Sequence, residues 1–207
     1  MARDSRITRA GILAAATEEF ARHGIAGARV DRIAAAAGYN KNLIYVHFGG
    51  KDQLFDAVYE AAVREILEAA PFDAYDLPGY AAALLEFHIG HPHLMRLSRW
   101  NALERPGAVP QTVREAGEAK TAALARAQEE GRVDAALPAD RLLALVVSLA
   151  STWTEGTPDA EPEGVAAAAL AARRDAVATA VRRLTAPRAD RGHPAGPRLA
   201  AGSHPRD

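Results

Sequence analysis

An all-α fold is predicted, and three observations predict it. Ala supplies 49 of the 207 residues, and Ala is the strongest helix former. Val, Ile and Thr, the material of sheets, number only 28. Apolar residues recur at spacings of three and four, in segments parted by short breaks rich in Pro and Gly. About half of the chain is apolar, enough for a sizeable core. At ~100–200 residues per domain, the length fits one domain or two small ones that share a core.

The first helix is the clearest element. Ser5 stands where it can cap the helix, and Ile12, Ala16 and Phe20 recur at spacing four along one face. Gly24, following Arg22 and His23, is a C-terminal stop. Residues 30–37 form a short second helix ended by Gly38. Asn40 can cap a third, running from Lys41 to about His47 and ended by Gly49 and Gly50. A fourth starts at Lys51 and carries Leu54, Phe55, Val58, Ala62 and Ile66 on one side. Residues 71–78 break the pattern, and helices then read over 79–88, 92–103, 111–130, 139–154 and 163–185. From 186 to 207 the chain is Pro, Gly, Ala, Arg and His with nothing to build a core, so a disordered tail is expected.

Composition removes several classes of function. There is no Cys, hence no disulfide, thiolate metal site or Cys nucleophile. The longest run without a charge, 142–154, is shorter than the ~20 residues that span a bilayer. Residues 10–16 run directly into Glu18 and Glu19, without the apolar core of a signal peptide, so a cytoplasmic protein with no membrane partner is expected. There is no G-x-S-x-G, no phosphate-binding Gly loop and no H-E-x-x-H, and no cofactor is implied. The one foothold for an enzyme is His88, His91 and His93, which could ligate a metal. Pro92 lies among them, however, so one helical face does not present all three, and a helix boundary rich in His is the commoner origin of such a cluster.

Charge is uneven along the chain. Residues 1–52 are net +3, residues 53–185 net −6 and the last 22 residues net +2. A basic N-terminal segment on an acidic body points to an anionic partner at that end. The same segment holds two short helices joined by the tight turn Ala37-Gly38-Tyr39-Asn40, the pattern of a helix-turn-helix whose second helix enters a DNA major groove. Ile33, Ala34 and Ala37 would face the first helix, and Leu43 or Ile44, with Phe48, would pin the second. That leaves Lys41, Asn42, Tyr45 and His47 to face outward toward phosphates and base edges, Asn42 being the best base reader because Asn pairs with adenine.

The run IAAAAGYNKNLIYVHFGGKDQLF resembles the DNA-binding signature of the tetracycline-repressor (TetR) family. Ile33 and Ala34 precede the turn, Gly38 makes it, and Tyr45, His47, Phe48, Lys51, Asp52, Leu54 and Phe55 follow at the family's spacing. Upstream, Ala15, Ala16, Phe20 and Gly24 are also similar, so the likeness covers residues 9–55. It implies a three-helix DNA-binding domain over residues 1–50. Residues 51–185 would then be a helical effector-binding and dimerising domain, with 51–69 as the connecting helix. It also implies a homodimer on a near-palindromic double-stranded operator, acting as a repressor and released by a small-molecule effector. The alternatives are a DNA-binding protein without an effector, or a metal-binding enzyme built on the three His.

Within that frame Arg29, Asn40, Lys41, Asn42, Tyr45, His47 and Lys51 are the expected DNA contacts. Two positions depart from the family pattern. Where a Ser or Thr usually caps the helix before the turn, Ala28 and Arg29 stand here, so that helix should be poorly capped while Arg29 could reach a phosphate. Position 43, often small, is Leu. Phe87, Leu94, Leu97, Trp100 and Trp153 are expected to wall an effector pocket, since such sites are lined by aromatic and aliphatic groups. Leu142, Leu145, Val146 and Leu149 form one apolar stripe, and Leu170, Val177 and Val181 another. Both are expected at a four-helix dimer interface.

Overall fold

The computed structural model describes residues 2–154 and 165–187; the expected tail beyond 187 lies outside the described residues. Among the described residues there are nine α-helices and no strand. They are α1 (Ala2–Gly27), α2 (Val30–Ala37), α3 (Lys41–Phe48), α4 (Lys51–Ala69), α5 (Leu77–Gly90), α6 (Pro92–Glu104), α7 (Gln111–Glu129), α8 (Ala139–Ala150) and α9 (Ala167–Thr185).

Two of the local signals act differently from expectation. Ser5 lies inside α1, which already begins at Ala2, so it caps nothing. Gly24 does interrupt α1, with φ 71° and ψ −176°, but one further helical turn follows before α2. α5 starts at Leu77, inside the stretch expected to break the pattern, because Asp76 caps it by accepting from the Gly79 N–H at 2.9 Å. Pro92 opens α6 as expected, where a missing N–H costs nothing.

The helices enclose two apolar cores. The first is built from Ile12, Ala16 and Phe20 of α1, Ile33 of α2, Ile44 of α3 and Leu54, Phe55, Val58 and Ala62 of α4. Phe20 and Phe55 meet edge to face at 5.2 Å between ring centres. The second holds Leu77, Leu84 and Leu85 of α5, Leu124 of α7, Leu142 and Val146 of α8 and Val177 and Val181 of α9. Neither core is closed off from the other. Phe87 of α5 and Leu94 and Leu97 of α6 belong to the first, and Ile66 of α4 packs against both. α4 therefore carries one continuous apolar side from the turn region into the body of the molecule.

Candidate nucleic-acid interface

The turn between α2 and α3 closes by backbone geometry that only glycine adopts readily. Gly38 is left-handed, with φ 72° and ψ 23°, and its N–H bonds the Ala35 carbonyl at 3.2 Å while the Tyr39 N–H reaches the Ala34 carbonyl at 3.0 Å. Asn40 then starts α3, its Oδ1 accepting the Asn42 N–H at 2.9 Å. The cap expected of Asn40 is thus formed, and it commits the side-chain oxygen of a residue also expected to face DNA.

α3 is held by one fully buried side chain, Ile44, with Leu43 and Phe48 half-buried beside it. Lys41, Asn42, Tyr45 and Val46 are exposed, Asn42 and Val46 on the side opposite Ile44. Val46, 76% exposed, was not among the expected contacts. Its position two residues after Ile44 was the available signal, because ~100° per residue places the two on opposite sides of the helix. His47 is half-buried, its ring 6.3 Å from that of Phe48, while the Arg9 guanidinium lies 5.0 Å over Phe48. The exposed face thus offers an ammonium, an amide, a phenol and an apolar methyl pair, groups suited respectively to phosphates, base edges and a thymine methyl.

Charge on this face is not free of local partners. The Lys41 ammonium meets the Asp31 carboxylate of α2 at 2.8 Å. The hydrogen bond and charge of Asp31 raise the Lys41 pKa, and those of Lys41 lower that of Asp31. Lys51 donates to the Ala26 and Ala28 carbonyls at 3.3 and 3.4 Å, bracing the segment that joins α1 to α2.

α2 begins at Arg29 without a side-chain cap, as its sequence predicts. The substitute comes from α1. Glu19 accepts the Arg29 N–H at 2.9 Å and pairs with the Arg32 guanidinium at 2.6 Å. Burial alone would raise the Glu19 pKa. The hydrogen bonds from Arg32 and the Arg29 N–H, with the charges of Arg32 and His23, outweigh it and hold the carboxyl below its ordinary value. The Arg29 side chain itself is exposed.

The expected effector set does not converge on one cavity. Phe87 lines a cleft of about 610 Å³ together with Ala69, Ile89, His91 and Leu170. Trp100 lines a different groove, between α1 and α6. Leu94 and Leu97 are packed into the first core, and Trp153, left-handed at φ 61°, carries Arg173 at 5.8 Å over its ring. The residues of the two expected dimer stripes differ in exposure. Leu142, Val146, Val177 and Val181 are at most 3% exposed within a single chain, because α8 and α9 turn these residues onto α5 and α7. Of the expected set, Leu145 is exposed and Leu149 and Leu170 are half-buried.

The three His do not form a metal centre, and among the described residues no group of three or more His, Cys, Asp or Glu could hold an ion. His88 is buried with Nδ1 3.3 Å from the Ala150 carbonyl, whereas His91 stacks on Phe87 at 4.2 Å and pairs with Glu65.

Comparison with known proteins decides the family. Residues 12–58 match the model of bacterial regulatory proteins of the tetR family, and residues 76–183 that of the tetracyclin repressor-like C-terminal domain. The chain belongs to the TetR family. It is 40% identical over 188 residues to the HTH-type transcriptional repressor SCO4008 of Streptomyces coelicolor, a match covering 88% of this chain and 97% of that protein. The crystal structure of SCO4942 from Streptomyces coelicolor, described as a transcriptional regulator, superposes with a TM-score of 0.75 at 37% identity, over 87% of this chain and 99% of that one. A TetR-like regulator from Rhodococcus sp. RHA1 shares the fold at 20% identity, with a TM-score of 0.64 over 85% of this chain and 94% of that one. This TetR-family chain is thus an all-α helix-turn-helix regulator of transcription. No described helix is long and apolar enough to cross a membrane.

Proposed function

We propose that this TetR-family protein is a repressor that binds a near-palindromic operator as a homodimer and is released by a small apolar or amphipathic effector. The observation that carries the reading is the outward face of α3, where Lys41, Asn42, Tyr45 and Val46 stand exposed on a helix pinned by the fully buried Ile44. A helix so held keeps its register against a major groove, and phosphate contacts from Lys41, Arg29 and the third ammonium proton of Lys51 would set its orientation.

Two further features support the dimer and the effector. Outside its buried face α8 retains Leu145, 45% exposed, and a second copy packed on α8 and α9 would cover it. The cleft beside Phe87 lies between the end of α4 and α5, so a ligand there would bias the helix that reaches the DNA-binding core.

The test is selection of genomic DNA fragments by the purified protein at physiological salt, with sequencing of what is retained. Enrichment of one near-palindromic sequence is the expected result. Retention of fragments without a common sequence, over a range of salt and with candidate effectors present, contradicts it.

A further inference from the structure

The groove between α1 and α6 has a composition that neither operator binding nor the α8–α9 face uses. It is about 340 Å³, near the lower end of the ~300–1,000 Å³ of small-molecule sites. Its walls are Ala21 and Arg22 from α1 and Arg96, Arg99, Trp100 and Leu103 from α6. Three of the six are arginines, and the remainder are apolar. Trp100 is fixed in place because its indole N–H donates to the Ala21 carbonyl at 3.2 Å. Leu103 is 73% exposed, an unusual cost for a large aliphatic side chain beside a half-buried indole.

Glu104 accepts the N–H groups of Ile25 and Ala26 at 3.0 and 2.6 Å, where α1 restarts after the break at Gly24. Its carboxylate is thereby engaged by the backbone. Arg99 donates to the Thr154 hydroxyl at 3.2 Å, a neutral partner that leaves its charge uncompensated by that bond. A planar guanidinium binds carboxylate or sulfonate through paired N–H groups, and a fixed indole face takes an apolar body.

We infer that the α1–α6 groove is a binding site for a small amphipathic anion, its acid group on Arg22 and Arg99 and its apolar body on Trp100 and Leu103. The site is separate from the Phe87 cleft, and it lies on the seam between the DNA-binding core and α6. A ligand there would sit directly beside the Trp100 and Glu104 contacts that tie α6 to the end of α1.

The test uses the full-length chain carrying Trp153→Phe, so that Trp100 is the sole indole, and follows its fluorescence during titration with decanoate. Decyltrimethylammonium, with the same chain length and the opposite charge, is the control. The expected result is a saturable change with decanoate and at least about tenfold weaker binding of the cation, the size of one charge-assisted hydrogen bond. Arg22→Ala, on the exposed surface of α1, should weaken decanoate about tenfold, and Leu103→Ser should weaken both amphiphiles. Equal affinity for the two amphiphiles, an unaltered decanoate titration in Arg22→Ala, or no saturable change would each overturn the assignment. No DNA enters the measurement, so its outcome is independent of operator binding.

Discussion

Lys41, the first residue of α3, is bonded at 2.8 Å to Asp31 of α2. The recognition helix therefore presents its leading cation in competition with an internal carboxylate. Both side chains are solvent-exposed, so the pair adds little to stability and matters chiefly for what approaches the helix.

Asp31→Asn should raise DNA affinity on all sequences by freeing Lys41 for phosphate. The plot of log K against log salt should steepen by about 0.9, the value of one additional phosphate contact. Fluorescence anisotropy across a salt series measures it, and an unchanged slope would show that the Asp31 pair does not hold Lys41 back from phosphate.

Val46 and Ile44 are two residues apart and have opposite tasks. Val46→Ala should alter stability by no more than about 0.5 kcal/mol and change the base preference at one operator position. Ile44→Ala should cost about 2–5 kcal/mol, because it opens a cavity at a residue with no exposure. Urea denaturation of both variants separates the two roles, and equal destabilisation would contradict the assignment.

Glu19 stands in for the missing cap of α2. Glu19→Ala should destabilise the protein by about 1–2 kcal/mol at neutral pH. Its carboxyl is held below the ordinary value of 4.5, so its contribution is present in full above that value and is lost as pH falls below it. The gap between the denaturation curves of wild type and variant should be full at pH 7 and should narrow as pH is taken progressively below 4.5. A constant difference between them would remove the charge from the explanation.

His88 gives a second window of pH dependence. Burial lowers its pKa, the charge of Arg99 lowers it further, and the bond to the Ala150 carbonyl only partly opposes them. The neutral ring is the folded form, so stability is present above the ordinary value of 6.5 and declines as pH drops below it toward the lowered folded value. His88→Gln should flatten stability between about pH 7 and pH 5.5, whatever it costs at pH 7. A variant that keeps the wild-type slope would locate the titration elsewhere.

How far the sequence could be read depended on the kind of signal. The spacing of Ile12, Ala16 and Phe20 identified a face that is fully buried, and Gly38 and Asn40 marked the turn correctly, because helix period and turn chemistry are local. The start of α1 was missed because Ser5 is an acceptable cap that the helix simply runs past. Leu142, Val146, Val177 and Val181 read as an interface because an apolar stripe has the same period whether it meets its own chain or another. The expected effector residues are spread over the structure for a related reason. Phe87 and Trp100 stand on consecutive helices, but they line different hollows on the α5 and α6 sides, and no local pattern records that separation. Glu19 was not legible as the cap of α2, since it acts from ten residues away.

The central claim is that two copies of α3 read two-fold-related half-sites. Hydroxyl-radical footprinting on a selected genomic fragment tests it most directly. The account predicts two equivalent protected patches related by a dyad, with centres about 34–36 Å apart or a further helical turn beyond that. A single protected patch at saturating protein would contradict it.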